Sequence, residues 1–252
     1  MPKAADWEDL NAELELWHQA GRTATFWWRD DDAITATPQL QKLLGLTAEH
    51  GVAPALAVIP AGAGEALAEQ VRDAQVDILQ HGFDHANHAA PQEKKIELGP
   101  HRDRQTITRQ LASGWQRLRE LFESPLPVLV PPWNRIDPTL LAELPQLGLT
   151  GLSRFAPRAQ AFDLHGLQHI NTHVDIVAWQ HGRRFCGQGA ALAQAVAHLR
   201  ARRQAQVDAV EPTGLMTHHL IHEDAAWTFC RRLLEVTTAH PAARWLRAKD
   251  VF

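Results

Sequence analysis

Three histidines fall within eight residues, His81-Gly82-Phe83-Asp84-His85-Ala86-Asn87-His88, directly after an apolar run, Val76 to Gln80, that reads as a buried strand. Imidazole is the commonest neutral ligand for zinc and similar divalent ions, and a His-x3-His spacing sets two rings about one helical turn apart. A turn leaving a strand can hold both. The chain carries 15 histidines, so such a pair also arises by chance, and a metal site needs a carboxylate partner. Asp30-Asp31-Asp32 offers one, at the end of a second strand-forming run, Thr23 to Trp28. One carboxylate and two imidazoles leave an open position on a divalent ion, the catalytic rather than the structural arrangement. An adjacent aspartate can then take a proton from water that the ion has acidified. The competing use of such a cluster is to cap a turn and pair with arginine.

The elements that must position these groups alternate. A leading helix carries Leu10, Leu14 and Trp17, and the strand ending in the aspartates follows. Thr37-Pro38 starts a second helix, with threonine as cap and proline in the first turn. A strand over 52–59, a helix over 64–73 and the strand delivering the histidines come next. A long helix over about 102–122 precedes Pro127 to Val130, a strand running into the stiff turn Pro131-Pro132-Trp133-Asn134-Arg135. Asp137-Pro138 predicts one more helix. Short strand candidates over 149–153, 168–170 and 174–178, a helix over 189–204, a strand over 214–217 entering His218, and a last helix over 223–238 complete the pattern. Strands alternating with long helices pair in parallel, and about seven such units predict an α/β fold, a distorted (β/α) barrel, over one domain spanning 1–252. The polar clusters recur at strand carboxyl ends, where barrel enzymes carry their active sites.

Bulk properties restrict the alternatives. An apolar fraction of 45% over 252 residues supplies a sizeable core, and a net charge of −4 gives no basic field for nucleic acid. No apolar stretch is long enough to span a membrane, and the first eight residues turn polar instead of opening a signal peptide, so the cytoplasm is the expected compartment. Cys186 and Cys230 are far apart, which leaves a sulfur metal site or a disulfide framework without support. Nine tryptophans serve equally as core filling and as sugar-stacking surfaces.

Asp31-Asp32-Ala33 and His81-Gly82-Phe83-Asp84-His85 resemble the first two motifs of the polysaccharide deacetylases of carbohydrate esterase family four, and Leu215-Met216-Thr217-His218 resembles their late strand motif. The resemblance spans most of the chain. It implies Asp32, His81 and His85 as ligands of a divalent ion, zinc before others, with Asp31 as general base and His218 as general acid. Asp30 stays in reserve, because Asp30 and Asp32 share a face of an extended strand and Asp31 the other. Pro131 to Asn134 resembles the third motif, yet its leading arginine is Val130 here, leaving Arg29 or Arg135 to orient the base. His173 to Trp179 weakly resembles the fourth, so Trp133, Asn134, Arg135, Asp175 and Trp179 are candidate substrate contacts. His88 joins them, although a solvent-facing place suits it as well. His219 is expected to be structural, His222 is a candidate for the pocket, and Glu93 to Glu97 reads as a solvated charged segment.

The implied reaction is metal-dependent hydrolysis of an amide C–N bond, foremost N-deacetylation of an acetylated sugar or saccharide precursor. A deformylase or cyclic-amide hydrolase on the same fold is the enzymatic alternative. A barrel that binds metal or saccharide without turnover is the other, and the missing arginine is its main support. Partners are then a saccharide or small acetamide; the sequence leaves the oligomeric state open.

Overall fold

The computed structural model describes residues 4–252. Residues 1–3, part of the polar leading segment, lie outside it. The first helix, α1 (Trp7–Gln19), starts at Asp6, whose carboxylate accepts the Glu8 and Asp9 N–H groups while Asp9 returns a bond to the cap. Then follow β1 (Ala24–Ala33), α2 (Pro38–Glu49), β2 (Ala55–Val58), α3 (Glu65–Val71), β3 (Asp77–His81), α4 (Arg104–Leu121) and β4 (Val128–Val130). The second half has β5 (Gly151–Leu152), β6 (Gln168–His169), β7 (Val174–Asp175), β8 (Val177–Ala178), β9 (Arg184–Phe185), α5 (Gln188–Arg203), β10 (Thr213–Thr217), α6 (Asp224–Ala239), β11 (Ala243–Trp245) and α7 (Ala248–Val251).

The main sheet runs β6-β5-β4-β3-β2-β1-β10-β7, all pairs parallel, with β11 also parallel on the first three residues of β1. It curls into a distorted (β/α) barrel. β6 and β7 are consecutive in the chain yet stand at opposite ends of the order, so among the described residues no ladder closes the ring. Strands β8 and β9 form a separate antiparallel hairpin.

Alternation along β1 sorts its side chains. Phe26 and Trp28 join the apolar layer beneath the helices, with Leu10, Leu43 and Leu234, whereas Trp27 packs inside the barrel with Ala55, Ala57, Leu79 and Val130. Both buried indoles find acceptors: Trp27 Nε1 donates to the Asn171 carbonyl (2.9 Å) and Trp28 Nε1 to Thr217 Oγ1 (2.7 Å). The same parity carries Arg29 and Asp31 inward and Asp30 outward. A third apolar cluster, including Ile107, Leu111, Leu129 and Leu152, packs α4 against β4 and β5.

One expected helix is absent. Asp137 does cap a turn, accepting the Thr139 N–H at 2.9 Å, but Pro138–Glu143 winds only as a 3-10 helix. Pro145 lacks the N–H and crowds the carbonyl four residues back, so an α-helix cannot continue. Among the described residues no helix is long and apolar enough to cross a membrane.

Candidate active site

Every part of the site leaves a strand at its carboxyl end. Asp31 and Asp32 close β1, His81 closes β3, the Pro131–Asn134 turn follows β4, and His218 follows β10. They border one pocket of about 400 Å3, together with His85, Trp133 and Trp179.

Two adjacent residues of a regular strand cannot both face that pocket, so the aspartates require a break in the pleat. The break is at Asp32, whose φ is 71°, and the β1–β2 register shifts between Asp30 and Ala33. Asp31 faces inward by alternation and Asp32 by this turn. Asp30, left on the outer face, is fully buried: it accepts Thr217 Oγ1 at 2.5 Å, the His219 N–H at 3.0 Å and a short bond from His219 Nδ1. Burial opposes its charge, but His219 outweighs burial and holds the carboxyl below its usual range. Asp30 thus ties down both neighbours of His218.

The possible metal ligands converge. His81 Nε2 and His85 Nε2 lie 3.1 and 3.3 Å from the same Asp32 Oδ1. His81 Nδ1 donates to the Val130 carbonyl (2.9 Å), so the neutral ring carries its lone pair on Nε2, and only the protonated ring also donates from Nε2 to Asp32. Such a bond sets the tautomer that a ligating histidine needs. Burial would raise Asp32 and lower His81, yet their mutual hydrogen bond and charge win in both, holding the carboxyl low and the imidazole high. Burial and the charge of His81 push His85 down, toward its neutral, ligating form. Carboxylate plus two imidazoles is a donor set that fits zinc or another divalent ion.

His173, His198 and Glu211 also converge, buried, toward the other end of β10. There His173 Nδ1 accepts the Gly214 N–H at 3.0 Å, so the proton of the neutral ring sits on Nε2, facing Glu211 Oε2 at 3.3 Å. A protonated Nε2 does not ligate. Burial pushes both rings of this stacked pair down, His198 to about 2.

Arg29 meets the need that Val130 left open. Its buried guanidinium grips Asp31 bidentately, Nε to Oδ1 at 2.8 Å and Nη2 to Oδ2 at 2.9 Å. It also donates to Ser153 Oγ (2.7 Å), the Arg154 carbonyl (3.2 Å) and Asn134 Oδ1 (2.8 Å). One side chain therefore fixes the base candidate, the proline-tryptophan turn and the end of β5. Arg135, the other candidate, points elsewhere: its Nη1 donates to the Lys95 carbonyl at 2.9 Å, and it does not border the pocket.

The loop after β3 depends on Glu97, which the sequence places in a solvated segment but which is fully buried. Its carboxylate accepts the N–H groups of Phe83 (2.7 Å), Asp84 (3.3 Å) and His85 (2.9 Å). Burial raises its pKa, these bonds opposing. The charged neighbours Glu93 to Lys95 hid it, because no local pattern marks a carboxylate that closes a loop from 12 residues away. Gly82 has φ 55°, and a Cβ there would overlap the Glu97 carboxylate and the Pro132 ring. His85 itself has φ 58°, a conformation that a non-glycine residue keeps only when its surroundings hold it. Replacing Glu97 with alanine should leave those N–H groups buried and unpaired and lower metal affinity about 10–100-fold, the usual cost of losing a residue that supports a ligand. Zinc titration of the variant checks this.

The remaining candidates divide. Trp133 packs on His85, ring centroids 4.3 Å apart, and Trp179 stands edge-on to His218 at 4.7 Å. Asp175 lies behind its tryptophan, accepting Trp179 Nε1 at 2.7 Å. Burial raises its pKa against the pull of that bond and of the His218 charge. His88 stays on the loop, its N–H bonded to the Ile96 carbonyl at 3.0 Å, outside the pocket lining. His222 is also outside, against the Trp227 ring, with burial pushing it down to about 4. Sequence reasoning missed Ser153, Glu97, Lys95 and Arg183; only Ser153 carried a signal, as the last residue of the strand candidate over 149–153.

No family model and no curated protein matches the chain. Solved structures do. A CE4 esterase from Streptococcus mutans superposes with a TM-score of 0.59 at 12% identity, over 97% of this chain and 92% of that one. A peptidoglycan N-acetylglucosamine deacetylase gives 0.55 at 13% identity, over 94% and 95%. An acetyl xylan esterase from Clostridium thermocellum, solved with a cobalt ion, gives 0.54 at 12%, over 90% of each. At such identities the likeness speaks for architecture, and the architecture of this chain is the polysaccharide deacetylase fold.

Proposed function

We propose that this protein is a metal-dependent amide hydrolase that removes an acyl group, foremost acetyl, from the nitrogen of an amino sugar. The observation that carries the reading is the meeting, in one pocket, of a three-donor cluster (Asp32, His81, His85) with an arginine-clamped aspartate and a strand-end histidine. A divalent ion on those donors supplies Lewis acidity toward a carbonyl oxygen and a water. The chain's own residues do the rest. Asp31, which borders the pocket with its carboxylate held by Arg29, takes the proton of the attacking water. His218 protonates the departing nitrogen, which lets the C–N bond break and leaves a carboxylate and an amine. Trp133 and Trp179 supply apolar walls to a sugar ring. The saccharide and ester chemistry of the structural neighbours supports this substrate class.

The arginine missing at Val130 is the main argument for a binding-only barrel, and the Arg29 clamp on Asp31 weighs against that reading. Purified protein is expected to carry about one zinc or similar ion per chain and to release acetate from an N-acetylated sugar. His81→Ala should lower zinc affinity by more than the ~10–100-fold that loss of a supporting residue costs. Elemental analysis and a zinc titration check both. Wild type without saturable zinc binding ends the proposal; formate in place of acetate would redirect it to a deformylase.

A further inference from the structure

Two cations overlook the pocket, Lys95 on one side and Arg183 on the other, and neither has a carboxylate partner among the described residues. Each accompanies a tryptophan. Lys95 Nζ lies 5.9 Å from the Trp133 ring centre, and Arg183 sits at the tip of the β8–β9 hairpin that begins beside Trp179. Both side chains are exposed, and the backbone beneath each is tied down. The Lys95 carbonyl is held by Arg135 Nη1, and the next residue, Ile96, bonds through its N–H to Asn87 Oδ1 (3.0 Å) and through its carbonyl to the His88 N–H (3.0 Å). The hairpin carrying Arg183 is anchored by the Phe185 N–H on Glu223 Oε1 (3.0 Å) and the Cys186 N–H on the Ile176 carbonyl (2.8 Å). Arg183 has φ 55°, and of the seven non-glycine residues at positive φ among the described residues, five border this one pocket: Arg183, Asp32, His85, Trp133 and Asn134. Such strain collects where a fold holds side chains for use.

The charge count has a direction. Among the charged side chains that line the pocket, Asp31 is neutralised by Arg29 behind it, and Lys95 and Arg183 together outweigh Asp32; Asp175 stands outside that lining, behind Trp179, in a chain whose net charge is −4. A divalent ion makes the pocket more positive still. A neutral sugar has no use for such a field, whereas an anionic one is drawn in and held by it.

We infer that the substrate is anionic: an N-acylated sugar bearing a phosphate or carboxylate, its ring between Trp133 and Trp179 and its charged group on Lys95 and Arg183. The inference rests on the proposed deacylase reading and deepens it. Calorimetry on zinc-loaded Asp31→Asn protein, which reads binding without turnover, compares N-acetylglucosamine 1-phosphate, N-acetylglucosamine 6-phosphate, N-acetylmuramic acid and N-acetylglucosamine. At least one charged sugar should bind about tenfold or more tighter than the neutral one, and which one identifies the anion and its position. Adding Lys95→Met or Arg183→Met should each shrink that ratio severalfold, and both together should abolish it. Equal affinity for charged and neutral sugars overturns the inference. So does inorganic phosphate binding as tightly as the sugar phosphates, which places the anion on the ion alone. Acetate release by wild type from these sugars is scored separately: release without charge preference sinks only the anionic substrate, and charge-dependent binding without release sinks only the hydrolase.

Discussion

Asp31→Asn is expected to lower kcat by about 10²–10⁴-fold, the range that a positioned general base contributes, while zinc content stays at the wild-type level. The separation between the two readouts follows from the geometry. Asp32, His81 and His85 share one oxygen as their meeting point, and Asp31 stands outside that cluster, its own oxygens turned to Arg29. Asparagine keeps the shape of the side chain and one acceptor for the guanidinium but cannot take a proton from water. Circular dichroism verifies that the variant is folded, and single-turnover acetate release measures the chemical step. A variant that retains both metal and full turnover would move the base assignment away from Asp31 and leave the metal site untouched.

Arg29→Met should cost about 3–5 kcal/mol of stability, because it strands the Asp31 carboxylate in a buried position without its counter-charge. The acceptors on Ser153, Arg154 and Asn134 lose their donor in the same step. Denaturant unfolding measures the loss. Two companions separate its causes. Arg29→Lys restores a charge but not the planar fork, so it should recover part of the stability and little of the activity. Asp31→Asn in the Arg29→Met background removes the stranded charge, so the double variant should be more stable than Arg29→Met alone. An unchanged denaturant midpoint for Arg29→Met would mean that the clamp carries no energetic weight.

The expected barrel and the observed sheet agree because their evidence is local. Apolar runs of strand length, a threonine-proline helix start at Thr37 and polar residues at strand ends are each legible within a few positions, and β1, β3, α2 and α4 lie where those signals put them. The 3-10 turns at Pro138–Glu143 show where local signals compete, since the cap at Asp137 is real and Pro145 still ends the helix early. Arg135 and His88 both lie outside the pocket lining. Nothing in their neighbourhoods in the chain says that a guanidinium turns to the Lys95 carbonyl, or that the His88 N–H bonds Ile96.

By itself the sequence determined the set of reactive groups and the strand ends that carry them: a pair of aspartates, a His-x3-His segment and a late histidine, because residue type and spacing along one strand or turn are linear facts. Tertiary structure decided where each of the three aspartates faces and what it binds. The positive φ at Asp32 brings two consecutive carboxylates to one side of β1, and Arg29 becomes a clamp only when β1, β5 and the Trp133 turn close around it. Glu97 likewise acquires its place from three N–H groups on a loop 12–14 residues away in the chain. A buried charge is located by the partners that compensate it, and those partners come together only on folding.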